Sequence, residues 1–210
     1  MLMDFNTARA LKFSENFDNY SIGFFGGGCP LGNHMQWPTD PMGHKLVHAF
    51  SLVSDAIEGV NGLTIPKGYL LSVFLTYKPG EYFLDSICYH GDSSELQDLN
   101  SGYMSVILHK PDIKEVNLSP SLLPRVCINI DVSHPIESNQ GSRIGGEPGY
   151  LQIEEINIDN MKFVLQIRGD SLPEKAKDLF FSEANIGYLF ISEKLKRETK
   201  FAGLFFSQTT

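Results

Sequence analysis

The chain has 210 residues, Lys+Arg 17 against Asp+Glu 25, a formal net charge of −8 and 42% hydrophobic residues. That length suits one generous domain or two small halves sharing a core, and 15 Phe with 8 Tyr is far too aromatic for a disordered chain. A sequence pI of about 5.2 argues against nucleic acid, whose binding rests on Lys and Arg neutralising phosphates, and no run approaches a membrane span.

In chain order, Phe5 to Phe13 has Ala8 and Leu11 at helical spacing and predicts a short helix, so that residues 1–22 read as a helical leader before a domain at 23–210. Beyond it, 19 Gly and 11 Pro bound short runs rich in Val, Ile, Phe and Tyr. Strands are expected at 46–53, 68–77, 82–89, 103–108, 126–132, 162–167, 187–192 and 202–206. Pro173 to Phe181 predicts a second helix, with proline at its start and Ala176, Leu179 and Phe180 inward. The expected fold is mainly β, roll-like, with few short helices. Cys29, Cys88 and Cys127 are odd in number and lack a C-x-x-C pair, and no signal peptide is visible at Met1, so a reducing, cytoplasmic setting is expected.

An internal repeat is suggested by order and spacing. Gly27, Gly28 and Pro30 recur as Gly145, Gly146 and Pro148, and Gly68-Tyr69-Leu70 recurs as Gly187-Tyr188-Leu189. The interval from proline to the second glycine is 38 residues in one half and 39 in the other. The halves are set at about 23–124 and 125–210; the alternative is coincidence in a glycine-rich chain.

These same residues carry a family resemblance. Phe25-Gly26-Gly27-Gly28-Cys29-Pro30, Gln36-Trp37-Pro38 and Gly68-Tyr69-Leu70 resemble the first half of the YwqG-like family. The stretch from Gly145 through Gln152, then Phe163–Ile167, Gly187–Ile191 and Gly203–Gln208, resembles its second half. One departure is Ala49-Phe50-Ser51, where the family typically carries an A-Q-I type triplet; Gln166 keeps the glutamine in the second half. The resemblance implies a β roll of two related halves in a bacterial cytoplasmic protein. Some similar sequences occur among presumed toxin-immunity proteins.

Catalytic constellations are weak. Phe25-Gly26-Gly27-Gly28 lacks the Gly-Lys-Ser/Thr ending of a phosphate loop, so these glycines, with Gly145 and Gly146, read as structural turns. The histidines His34, His44, His48, His90, His109 and His134 show no metal-ligand spacing, and no cofactor is expected. There is no G-x-S-x-G elbow. Trp37 reads either as a plug of the roll or as an anchor for a partner.

Charge is more informative. Residues 1–124 hold 7 basic and 13 acidic side chains, a net −6, against 10 and 12 in residues 125–210, a net −2. From Glu81 through His109 there is no Lys or Arg, while Glu81, Asp85, Asp92, Glu95 and Asp98 accumulate. This reads either as a solvated acidic loop or as a surface for a basic protein partner. The expected function is a non-enzymatic protein-binding protein, an immunity protein that neutralises a cognate toxin through that surface. The alternative is a small-molecule module or unrecognised enzyme with a pocket between the halves, lined by Trp37, Tyr150, Gln152 and Gln166.

Overall fold

Runs such as Leu70-Leu71-Ser72-Val73-Phe74-Leu75 are apolar on both alternating faces, which suits a strand covered on each side. A computed structural model describes residues 7–32, 35–78, 80–112, 123–133, 136, 140–152, 156, 158–180 and 184–209. Its strands are β1 (Arg9–Ser14), β2 (Ser21–Phe25), β3 (Val47–Val53), β4 (Leu70–Leu75), β5 (Met104–His109), β6 (Val126–Ile130), β7 (Arg143–Ile144), β8 (Met161–Arg168), β9 (Ile186–Ser192) and β10 (Gly203–Gln208). Helical structure is short: α1 (Ser54–Ile57), α2 (Ser93–Asp98), and 3-10 or π stretches of three to seven residues. The fold is mainly β, as expected.

The strands form one antiparallel sheet in the order β10-β9-β8-β7-β1-β6-β2-β3-β4-β5 that curls into a nearly closed barrel. Its two edges are covered. Leu108 of β5 exchanges both backbone hydrogen bonds with Thr199 at 3.0 Å, and the Ala202 N–H donates to Val106 O at 2.8 Å. On β10, the Ser207 N–H donates to Ile87 O and Ser207 O accepts from the Tyr89 N–H. These bonds occupy backbone groups at Val106 and Leu108 on one edge and Ser207 on the other, where a foreign strand would otherwise pair. Phe50 stands in the barrel core, its ring 6.2 Å from Phe25 and 5.5 Å from Phe205.

Exchanging each strand of β1–β5 for its counterpart in β6–β10 reverses the strand order onto itself, so the sheet has an internal two-fold relation. The first strand of each repeat crosses over: β1 pairs with β7 of the second repeat, and β6 pairs with β2 of the first. They meet at the Lys12–Asn129 pair. The bulge between His48 and Phe50 on β3 matches the one between Phe163 and Leu165 on β8. The Gly26 N–H donates to Ala49 O and the Gly145 N–H to Val164 O, one bond in each bulge. The equivalent turns are therefore Gly26-Gly27 (φ +62° and +71°) and Gly145-Gly146 (φ +72° and +67°). A side chain on Gly27 would press on Arg125, and one on Gly146 would come 2.8 Å from Ala8; each contact is with the approach to the exchanged strand. Glycine is needed for both the left-handed backbone and that passage.

Several expectations are corrected. The segment 9–14, read as helix, is strand β1 at the centre of the sheet, because β6 and β7 satisfy its backbone on both sides. Residues 1–6 lie outside the described residues. Gly28 is not among the left-handed glycines, so the repeat register starts one residue earlier in the first half. Gly187 pairs with Ile167 as Leu71 pairs with Leu52, which displaces the Gly68/Gly187 match by three residues. Tyr82–Tyr89 is no strand but carries a 3-10 turn, Leu84–Ser86, and its apolar side chains pack down beside β10. The second helix is a 3-10 run, Glu174–Phe180.

Candidate functional site

Where β5 and β10 approach, a groove of about 340 Å³ opens to the outside of the barrel. Met104, Ser105, Ile107, Met161 and Leu204 are among the residues that line it. Leu99, Asn100 and Gly102, which lead into β5, and Lys200 and Phe201, which lead into β10, supply walls from equivalent places in the two repeats. The remaining wall is Gln36–Thr39. The Trp37 indole N–H donates to Leu46 O at 2.8 Å, and its ring meets Phe74 edge-on at 5.0 Å. Next to this wall, Asp40 accepts from the Met42 and His44 N–H groups and pairs with His44 Nδ1 at 3.0 Å. Burial favours the neutral Asp40 carboxyl, but these His44 and Met42 contacts outweigh it and hold its pKa below the ordinary value. Phe201 stands 87% exposed on the rim.

Beneath the cover segment that carries Cys29, Leu31, Trp37 and Leu46, the outer face of β3, β4 and β5 carries buried polar side chains. The Lys110 carbonyl only accepts, so His109 Nδ1 carries a proton and donates to it, 3.0 Å away. His109 Nε2 then accepts from Ser72 Oγ at 2.8 Å, Ser72 accepts from Ser51 at 2.7 Å, and Ser51 accepts from His48 Nε2 at 2.8 Å. The Cys29 thiol donates to Ser72 at 3.5 Å. Burial pushes the His48 pKa down to about 4, so this ring is neutral at pH 7. Ser72 and His109 have the spacing of a nucleophile and its base, yet His48, Ser51, Ser72, His109 and Cys29 are all buried. The chain of hydrogen bonds runs one way and ends on a backbone carbonyl; it is a joint inside the fold.

The second repeat has a different joint at the matching positions. Gln166 accepts from the Gly149 N–H at 2.8 Å and donates to Gly141 O at 2.9 Å. Tyr188 donates to Gly149 O, and Gln208 accepts from the Leu151 N–H and donates to Tyr89 O. Burial pushes the Tyr188 pKa up.

Of the four residues expected to line a pocket between the halves, only Trp37 lines the groove. Gln166 is a buried tether, Tyr150 packs on Tyr188 with its hydroxyl donating to Ile156 O, and Gln152 is exposed. The groove walls from 99–102 and 200–201 escaped the sequence reading, although an aromatic beside Lys200 at the mouth of a strand was a visible signal.

The five acidic residues lie in the connection from β4 to β5. Glu81, Asp85, Asp92 and Asp98 are exposed. Glu81 pairs with Lys78 at 3.5 Å, and Asp92 caps α2 by accepting from the Ser94 N–H. Glu95 accepts from the His90 N–H and pairs with His90 Nδ1; burial opposes its charge, but His90 holds its pKa below the ordinary value. Asp98 ends α2, directly before Leu99 and Asn100 of the groove wall. Pro30 accepts from the Asp112 N–H, and Pro148 lies half-buried between Glu147 and Gly149.

Among the described residues no cluster of three or more His, Cys, Asp or Glu is arranged to hold a metal, and no helix is long and apolar enough to cross a membrane. His34 and His134 lie outside the described residues. Comparison with protein-family models finds no match to this chain, and comparison with curated proteins finds none either.

Proposed function

We propose that the protein is a non-enzymatic binding protein that engages a protein partner through the β5–β10 groove. The observation that carries this reading is the solvent-open apolar groove with Phe201, 87% exposed, on its rim. Solvent-facing aromatic side chains beside a concave apolar surface are the usual anchors of protein recognition. The acidic connection that runs into the groove wall supports a basic partner. With the resemblance to the YwqG-like family, this favours an immunity role in the cytoplasm, in which the partner is a toxin held by its own surface. The groove's volume and its Trp37 wall also favour a second reading, a small-molecule module.

A photo-crosslinking amino acid placed at position 201, and as control at the exposed Val132, tests the proposal in cells of the source organism. A crosslinked protein from position 201 and none from 132 is the expected result. Equal products from both positions, or none from 201, overturn it. A mass increase of only a small molecule at 201 establishes the second reading.

A further inference from the structure

Resting on the reading of the groove as a protein-binding site, we infer that its occupant is an extended segment bearing one bulky apolar side chain with a Lys or Arg beside it on the α2 side. Three observations set this chemistry. The cavity of about 340 Å³ holds one or two side chains, while a folded element needs far more room. Its lining includes the apolar Met104, Ile107 and Leu204, so the inserted group is apolar. Its walls differ in charge: α2 brings the exposed Asp98 to the wall at Leu99 and Asn100, with Asp92 about 9 Å farther along the helix axis, whereas the wall from the β9–β10 connection carries Lys200. Glu95 is paired with His90, which leaves Asp98 as the carboxylate of that element directly before the wall residue Leu99 in the chain. A cation beside the apolar anchor is therefore attracted on the α2 side and repelled on the Lys200 side, which orients the segment as well as selecting it.

The chain's only tryptophan lines the groove, so its emission reports occupancy. Synthetic peptides of one length carry a central Leu flanked by Lys, a central Leu flanked by Glu, or a central Ser flanked by Lys. The Lys-flanked Leu peptide is expected to shift Trp37 emission saturably and to bind about tenfold more tightly than either other peptide. Asp98→Lys weakens that binding by about fivefold, Asp98→Asn by less, and raising salt from about 50 to about 300 mM weakens it further. The unfolding midpoint of each variant checks that the fold is retained. Equal affinity of the Glu-flanked peptide, or no loss with Asp98→Lys, overturns the charge selection while the groove reading stands. Silence of Trp37 to every peptide, together with no crosslink from position 201, overturns the groove reading itself. A mass that doubles with concentration and reverts in Phe201→Ser makes a second copy the occupant and overturns the inference.

Discussion

The two repeats share a sheet geometry and differ in what their polar side chains hold. Ser51, Ser72 and His109 occupy the strand positions that Gln166, Tyr188 and Gln208 occupy in the second repeat. In the second repeat these side chains reach out of the sheet and grip the backbone of the segment above, at Gly141, Gly149 and Leu151. In the first they are too short to do so and bond to one another, with His48 at one end and the Lys110 carbonyl at the other. The cover segment of the first repeat is held instead by apolar packing on Phe74 and Ile107 and by the Cys29 thiol on Ser72, while the Trp37–Leu46 O bond ties the cover to itself. The ring pair Phe163–Phe190 (5.6 Å) in the second repeat corresponds to His48–Phe74 (5.5 Å) in the first. The duplicated strands thus tolerate exchange of an amide tether for a hydroxyl relay, because the Ser51 and Ser72 hydroxyls find partners along the relay as the Gln166 amide finds them on the backbone. The cover that is less tied by hydrogen bonds is the one whose Gln36–Thr39 edge borders the groove.

The largest effect is expected where a tether is cut. Gln166→Ala strands the Gly149 N–H and the Gly141 carbonyl and should cost about 3 kcal/mol in urea denaturation, whereas Ser51→Ala, inside the relay, should cost about 1 kcal/mol. Equal losses would break the distinction between tether and relay.

A second contrast is pH. His48 has its folded pKa depressed to about 4 from 6.5, so the unfolded chain takes up this proton first as pH falls. Its contribution is complete above about pH 6.5 and is lost on acidification towards pH 4, by up to about 3 kcal/mol. His48→Phe places the second repeat's residue at this site and should flatten the stability–pH slope between pH 4 and 6.5 by about one proton. An unchanged slope would remove His48 as its source.

The smallest effect on stability is expected at the groove rim. Phe201→Ser should lower unfolding stability by less than about 0.5 kcal/mol, since the side chain is 87% exposed, while weakening the peptide binding that Trp37 emission reports. A loss comparable to Gln166→Ala would make Phe201 a packing residue.

Much of the sheet was legible in the chain. The runs around β3, β4, β5, β6, β8, β9 and β10 are dense in Val, Ile, Leu and Phe between Gly and Pro, and backbone pairing of such runs is nearly obligatory. β1 was not, since its apolar spacing also fits a helix and only β6 and β7, over 110 residues away, decide between the two. Tyr82–Tyr89 misled for the opposite reason: Phe83, Leu84, Ile87, Cys88 and Tyr89 are buried without a strand of their own, while Tyr82 stays exposed. Trp37 was visible as either a plug or an anchor, and it is buried with its N–H on Leu46 O, as the plug reading has it, but Leu99, Met161 and Phe201 have no sequence neighbour in common with it. Composition and alternation by themselves determined a mainly β chain with an acidic connection after β4 and a repeated glycine turn, because those properties are local. The exchange of first strands, the register of the repeat, the burial of Ser72 and His109 and the groove over the β5–β10 seam were decided by tertiary structure. Each depends on which distant backbone satisfies a strand's hydrogen bonds, and that is settled only when the whole sheet curls and its edges meet.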